Sequence, residues 1–298
     1  MDSSVLNFLA APFVASLVIA GIHAYLGVHV VERGVIFVDL SLAQIAAFGA
    51  TIGLLLPMTG AEPGGPAVYW ISLIFTFIGA ILFSTIRSRR ARIPQEAIIG
   101  IAYAVASAAT ILAMSKAPSE SEHLKDMLVG NILAVSWKEV LETAGLYAGI
   151  GLFHYVFRRR FLMISMDPAR AAAEGMSLRF WDFLFYVSFG FVVTRSVSIA
   201  GVLLVFCYLI VPSVAAMLYA DRIGRRLAIG WTMGTLVSAL GVFLSLKLDL
   251  PTGATIVCTF GLVLIIMAAV RPLVQRSPTT DIHQVNFADR AHSDIGSK

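Results

Sequence analysis

The stretch from Val35 to Leu56, VIFVDLSLAQIAAFGATIGLLL, decides the fold class, because it is apolar over the length of a membrane-crossing helix. Such a helix needs about 20 predominantly apolar residues. Asp39 lies near the start of this stretch. A carboxylate at that depth is costly, so it is expected to face the bundle interior or a water-filled path. Two interpretations fit: Asp39 is a polar point on a solute path, or it snorkels or caps near the start of the helix.

Gln44 follows Asp39 by five positions. Because five helical positions turn through about 500°, the two side chains flank a sector of the helix and do not stack. Ser41 and several small residues surround them. Gly49 and Gly53 have the spacing that suits close contact with a neighbouring helix. Gln44 taken alone is better explained by packing than by a role in transport.

The composition is that of an integral membrane protein: 58% of residues are hydrophobic and 13% are charged, and the mean hydropathy is +0.84. Soluble domains have about a quarter of their residues charged. A chain of 298 residues holds several spans in one bundle, without room for a separate catalytic domain. The net charge of +4 predicts no nucleic-acid partner, since the basic residues lie in loops. Cys207 and Cys258 lie in apolar segments and are expected to behave as small buried hydrophobes.

The apolar runs predict an all-α membrane bundle of eight to nine helices, with about nine favoured. The sixth run is short, and it either begins earlier or forms part of a broken helix with the seventh. The predicted spans are 5–28, 35–57, 67–86, 95–115, 137–157, 181–194, 197–219, 227–246 and 252–270.

Basic residues occur in alternate connections, which predicts an external N-terminus and a cytoplasmic C-terminus. The arginine-rich connections are 87–94, 158–180 and 220–226, together with the start of the tail. By contrast, 58–66 carries a single charged residue, an acid.

Two further segments are assigned from their polarity. Segment 116–136 is half polar and half apolar, which predicts a short interfacial or re-entrant piece on the outer side. Residues 1–274 are assigned to the transmembrane domain. Residues 275–298 are polar and without periodicity, which predicts a disordered cytoplasmic tail.

Segment 167–179, DPARAAAEGMSLR, predicts a short helix within a cytoplasmic connection. Asp167 and the proline after it signal a helix start, and Glu174 and Gly175 signal its end. Arg170 lies between these signals. Either this helix docks on a soluble partner, or it is an ordinary amphipathic helix on the membrane surface.

Proline and glycine mark two breaks in the second half of the chain. Pro212 lies inside the seventh predicted span and is expected to kink it. Pro251 and Gly253 are predicted to end one helix and start the next, with Asp249 capping the incoming helix.

No catalytic motif is present: the sequence lacks a GxxxxGK[ST] phosphate loop, an HExxH helix, paired CxxC motifs and a GxSxG elbow. The histidines are scattered along the chain, and each is expected to be interfacial or satisfied locally rather than a ligand. We therefore expect a protein that carries or conducts a solute, with no enzymatic activity and no bound cofactor of its own.

Four stretches, taken in order, resemble the membrane permeases of bacterial ABC transporters for the uptake of metal ions such as zinc, manganese and iron. The resemblance extends from about residue 20 to residue 272. The stretches are GVIFVDLSLAQIAAFG at 34–49; EAIIGIAYAVASAATIL at 96–112 with MLVGNILAVSWKEV at 127–140; DPARAAAEGMSLRFWDFLFY at 167–186; and SIAGVLLVFCYLIVPSVAAML at 198–218 with LDLPTGATIVC at 248–258.

The resemblance implies a permease of the bacterial plasma (inner) membrane, paired as a homodimer or pseudo-dimer in the lipid bilayer around a central path for a divalent metal ion. It also implies a cytoplasmic ABC ATPase subunit and an extracytoplasmic metal-binding protein as partners. The ATPase contact would fall on Asp167, Arg170, Glu174 and Gly175. The transport path would include Asp39, Gln44 and Ser41.

The chain departs from the family at the transport path. Family members carry Asp and His four residues apart in the second helix, whereas Gln44 aligns here with the His and Leu40 with the Asp, so that Asp39 stands one place early. A glutamine oxygen is a weaker and harder donor than an imidazole. An ABC permease of the same architecture for a non-metal solute is therefore an alternative. A secondary transporter and a redox subunit, which would need paired histidines within the membrane, are less well supported.

Overall fold

The computed structural model describes residues 3–56, 65–86, 94–115 and 132–274, and within these ranges the chain is helical, with no β-strand. The described residues also contain one 3₁₀ turn, Ile132–Ala134. The α-helices are α1 (Ser3–Arg33), α2 (Val38–Leu55), α3 (Pro66–Ile86), α4 (Gln95–Met114), α5 (Trp137–Val156), α6 (Arg158–Met166), α7 (Pro168–Ala173), α8 (Leu178–Ala200), α9 (Val202–Tyr219), α10 (Ile223–Leu248) and α11 (Thr252–Val274).

Eight of the described helices are long and apolar enough to cross a membrane, namely α1 to α4 and α8 to α11. A ninth span is formed if α5 and α6 are counted together, although the chain bends by 75° between them. The predicted all-α membrane bundle of eight to nine helices is therefore confirmed.

The sixth predicted span, 181–194, was drawn too short. The corresponding helix α8 runs from Leu178 to Ala200 and includes Arg179 and Arg195, whose charges hide its two ends from a hydropathy scan. Gly201, with φ of 76°, then separates α8 from α9. The predicted connection 158–180 is also largely helical, because it contains α6 and α7.

Several sequence predictions concern residues outside the described ranges. These include most of the outer segments 58–66 and 116–136, nearly all of the basic connection 87–94, and the whole tail 275–298.

The helices pack in two groups. One group contains α2, α3, α4 and α8, and the other contains α1, α9, α10 and α11. Helices α5 and α6 contact both α1 and α8, and thereby connect the two groups. The first group packs closely at α2 and α3, where Gly49 approaches Phe75 and Gly53 approaches Ile71, as the small-residue spacing predicts.

The second group packs closely where α1 crosses α9. A Cβ atom at Gly27 would lie 2.0 Å from the Leu209 carbonyl oxygen and 2.3 Å from Ser213 Oγ. No other residue type fits this position without moving a backbone. Gly21, on the same helix, would place a Cβ atom with nothing within 4 Å.

The predicted turn between α10 and α11 is present, but Asp249 has a different role from the predicted one. It ends α10 in the left-handed conformation, with φ of 52° and ψ of 47°, and no hydrogen bond links its carboxylate to α11 among the described residues. A short polar side chain tolerates this conformation. Pro251 precedes the first residue of α11, and Gly253 lies in its first turn.

Pro212 lies inside α9, which is continuous from Val202 to Tyr219. A kink at this proline stays a prediction.

Replacing Gly27 with Ala should destabilise the protein, because the new methyl group overlaps the α9 backbone. Overpacking of this kind costs about 1–3 kcal/mol. Gly21→Ala is the matched control, since it adds the same methyl group to the same helix in open space and gains helix propensity. The thermal unfolding temperature of the detergent-solubilised protein should fall for Gly27→Ala alone. Equal unfolding temperatures for the two variants would contradict the packing described for α1 and α9.

Candidate functional site

Asp39 lies in the first turn of α2, and its side chain is completely buried. Neither carboxylate oxygen has a hydrogen-bond partner among the described residues, and the same holds for the buried Ser41 hydroxyl. Asp39 therefore neither snorkels to a surface nor makes a capping hydrogen bond there. Buried polar atoms without partners are uncommon and call for an explanation.

The turn between α1 and α2 holds Asp39 in the bundle. Gly34 takes a left-handed conformation, with φ of 66°, directly after α1 ends. The backbone amide of Phe37 then donates to Glu96 Oε1 at 2.9 Å, which ties the turn to the start of α4. Val35 and Val38 are both buried. The chain thus enters α2 within a few residues, and the first turn of the helix is already inside the protein.

Residues from other helices approach the Asp39 carboxylate. The Tyr147 hydroxyl on α5 and the Cys207 thiol on α9 are within electrostatic range of this carboxylate, but neither is hydrogen-bonded to it. Cys207 is partly buried, as expected for a small hydrophobe, whereas Cys258 is exposed and that prediction was wrong. Gln44, 6% exposed, lies further along α2. The border between the two helix groups therefore carries polar atoms from α2, α5 and α9.

His23 is buried in α1, and one of its ring nitrogens is satisfied within the helix, as one of the two predicted alternatives has it. Its ring Nδ1 is hydrogen-bonded to the Ile19 carbonyl oxygen at 2.8 Å, and its Nε2 has no partner among the described residues. The His23 and Tyr147 rings have centroids 6.5 Å apart. Tyr147 thus contacts His23 and lies within electrostatic range of Asp39. The sequence gives no sign of this, because the three residues lie on three different helices.

His29 and His154 are also buried, and their ring centroids lie 6.5 Å apart. Of the two alternatives predicted for the histidines, an interfacial position does not hold for this pair, whereas satisfaction by hydrogen bonds holds for His154. His154 has both ring nitrogens engaged, with Tyr25 Oη at 3.3 Å and Ser188 Oγ at 2.8 Å. The pair does not present two free ring nitrogens to a shared ligand.

The described residues contain no group of three or more His, Cys, Asp or Glu side chains arranged to hold a metal ion. In this conformation Asp39 is a buried polar point and not part of a closed coordination site.

The short helix predicted in 167–179 is α7. Asp167 Oδ1 accepts a hydrogen bond from the backbone amide of Arg170 at 2.9 Å, and Glu174 and Gly175 end the helix, the latter with φ of 78°. Arg170 Nε lies 2.8 Å from Glu174 Oε1, and both side chains are exposed. The hydrogen bond and charge of Glu174 raise the pKa of the Arg170 guanidinium. Helix α7 therefore presents an ion pair outward.

Arg33 and Asp182 form a buried ion pair that was not predicted from the sequence. Arg33 Nη1 at the end of α1 is 2.7 Å from Asp182 Oδ1 on α8, and the two side chains are 1% and 0% exposed. An acid near the start of the short sixth apolar run and an arginine after the first run were the available signals. The predicted spans left out Arg33, which falls between the first and the second, and included Asp182 without a partner for its charge.

Comparison with known proteins places these features in a family. The model of the ABC 3 transport family matches residues 5–271. The manganese import system permease protein ScaB of Streptococcus gordonii is 24% identical over 89% of this chain and 92% of its own length. The chelated iron transport system membrane protein YfeC of Yersinia pestis is 25% identical over 84% of this chain and 82% of its own.

A solved structure agrees with these relatives. A chain in the structure of PsaBC from Streptococcus pneumoniae in complex with Fab superimposes with a TM-score of 0.73 and 25% identity, over 87% of this chain and 90% of that chain. The family resemblance found in the sequence is confirmed. This chain belongs to the ABC 3 transport family and is a multi-pass protein of the bacterial plasma membrane.

Proposed function

We propose that this chain is the membrane permease of an ATP-driven importer for a divalent transition-metal ion, with manganese or iron as the cargo. The observation that carries the proposal is the Asp39 carboxylate, which is fully buried and has no hydrogen-bond partner among the described residues. An ionisable group inside a membrane bundle is a functional-site candidate by default. A cation in transit would supply the partner that the protein does not.

The oxygen donors on α2 favour a hard cation. Asp39 offers a carboxylate, Ser41 a hydroxyl and Gln44 an amide oxygen, all of them buried. Carboxylate and carbonyl oxygens suit Mn²⁺ better than the softer sites that select zinc. The names of ScaB, a manganese import permease, and YfeC, a chelated iron transport protein, support the same choice. A transit site must also bind weakly enough to release its ion.

The orientation is proposed from the distribution of arginine. The end of the bundle that carries Arg33, α6 and α7 also carries the exposed cluster Arg158 to Arg160 and Arg179. Positive residues of this kind favour the cytoplasmic side. We therefore propose that α7 lies in the cytoplasm and the N-terminus outside. We also propose a second permease copy beside this one in the membrane.

Helix α7 is the proposed contact with a cytoplasmic ABC ATPase subunit. An extracytoplasmic metal-binding protein would deliver the ion to the opposite end. Movement of the ATPase on ATP binding and hydrolysis would displace α7 and switch the bundle between outward and inward openings. The alternative of a non-metal solute is favoured only by Gln44, which stands where the family carries a histidine.

Asp39→Asn should abolish manganese uptake by proteoliposomes that contain the permease with its ATPase and binding protein. Removing even an outer-sphere partner of a metal ligand reduces affinity about 10–100-fold, so losing the ligand charge itself should cost at least about tenfold. Asp221→Asn is the matched control, because Asp221 is exposed just before α10. Wild-type uptake by Asp39→Asn would remove Asp39 from the path. Absence of uptake of any metal by the wild-type complex would favour a non-metal cargo.

Gln44→His should shift the preference from manganese towards zinc, because an imidazole nitrogen is a softer donor than an amide oxygen. The measurement is the ratio of zinc to manganese uptake from an equimolar mixture. Gln44→Asn keeps the amide and serves as the control. An unchanged ratio in Gln44→His would show that Gln44 packs without facing the ion.

Replacing Arg170 and Glu174 together with Ala should weaken association of the ATPase while leaving membrane insertion intact, because both side chains project from α7. Lys138 and Glu142 form the control pair, since they make another exposed ion pair at the same spacing on α5. Co-purification of the ATPase with the permease is the measurement. Normal recovery with the α7 variant would place the contact elsewhere.

A further inference from the structure

Arg33 at the end of α1 contacts both sides of the connection that holds α7. On the incoming side its Nε donates to Ser165 Oγ on α6 at 2.9 Å. On the outgoing side its Nη1 donates to Asp182 Oδ1 in the first turns of α8 at 2.7 Å. Since α7 lies between α6 and α8 in the chain, one guanidinium holds both flanks of the helix that projects outward.

The setting of Arg33 is rigid. Its side chain is 1% exposed, and the guanidinium carbon lies 3.9 Å from the centre of the Phe185 ring. Ser165 is buried as well, and its Oγ is also hydrogen-bonded to His29 Nδ1 at 2.8 Å. A buried ion pair is weak evidence for stability, because apolar residues of the same size often serve as well or better. A role in fixing geometry fits this arrangement better than a role in stability alone.

Helix α6 has a second attachment to the bundle. Phe161 stacks on the His154 ring, with centroids 4.3 Å apart and planes 12° apart. His154 in turn is hydrogen-bonded to Ser188 on α8. In α7 itself only Ala171 is buried. A displacement of α7 must therefore pass into its flanks, and through them into Arg33.

Arg33 is separated from the proposed transport path by one short turn of the chain. The chain turns at Gly34 and enters α2, where Asp39 lies in the first turn. Val35 and Val38 are buried, and the Phe37 amide is held by Glu96, so the turn has little freedom to absorb a movement of Arg33. A shift of the end of α1 therefore moves the start of α2, which carries Asp39.

We propose that Arg33 is the positioning residue that transmits movement of α7 to the start of α2, with Ser165 and Asp182 as its two contacts. This proposal rests on the proposed function, in which α7 contacts the ATPase and Asp39 lines the path. Arg33 itself touches no cargo. It sets how much of each ATP-driven movement reaches Asp39.

The test compares conservative variants in the complete transporter reconstituted in proteoliposomes. Arg33→Lys keeps the charge but cannot span both contacts, because an ammonium lacks the planar fork of a guanidinium. Asp182→Asn keeps an oxygen that can accept a hydrogen bond but removes the charge of one contact, and Ser165→Ala removes the hydroxyl of the other. Manganese transported per ATP hydrolysed should fall about fivefold or more in Arg33→Lys and Asp182→Asn, at the lower end of measured site-to-site couplings. Ser165→Ala should give a smaller loss.

Arg226→Lys is the matched control. Arg226 on α10 forms an ion pair with Glu32, the residue before Arg33. It therefore contacts the same end of α1, and its hydrogen bonds go to Glu32 and Ala220 and not to α6 or α8. Weakening the Arg226–Glu32 ion pair should lower the stability of the permease and leave the amount of manganese transported per ATP hydrolysed unchanged. If Arg33→Lys merely reduced the amount of assembled complex at an unchanged ratio, Arg33 would be structural and the proposal would be overturned.

A second measurement is independent of the cargo. Spin labels at Phe37→Cys and Leu248→Cys, both exposed positions, are introduced after Cys207 and Cys258 are replaced by Ser. ATP should change the distance between the labels with Arg33 present and should leave it unchanged in Arg33→Lys. A wild-type distance change without uptake of any metal would reject the proposed cargo and keep the coupling role. The same distance change in Arg33→Lys would overturn the coupling role.

Discussion

The low polarity of the bundle interior is the constraint on which the rest of this molecule depends, because a charge placed there must find a partner or serve a function. Two buried aspartates meet this constraint in opposite ways. Asp182 lies 2.7 Å from Arg33 and is held in a fixed geometry. Asp39 has no hydrogen-bond partner among the described residues. The first arrangement suits a mechanical connection, whereas the second suits a site at which a partner arrives and leaves.

Helix α1 links these two aspartates. Its last residue holds Asp182, and the turn that follows leads into the helix that carries Asp39. Gly27 brings the same helix against the α9 backbone. A helix that packs this closely moves as a unit with its neighbour, so a displacement at one end is not lost along its length.

Much of the fold could be predicted from hydropathy, because a bilayer admits helices of a set length and little else. The same scan failed at α8, because Arg179 and Arg195 lie near the two ends of this helix and shortened the predicted sixth span. The outward-facing residues of α7 were predictable from local helix signals. The convergence of His23, Tyr147 and Asp39 was not, since it depends on how distant helices pack. The role of Asp249 was predicted wrongly, because an aspartate between two helices can cap the start of the second or end the first in a left-handed conformation.

The distribution of close contacts indicates where the bundle can move. Gly27 meets α9, Gly190 meets α3 and Gly241 meets α11, so these tight approaches lie within the two helix groups and not between them. Within a group, sliding would force backbones to overlap. Helices α2 and α9, which belong to different groups, are in contact and carry Asp39 and Cys207, respectively. Separation of the groups as rigid bodies would therefore open the protein at Asp39, while α5 and α6, which contact both groups, would limit its extent.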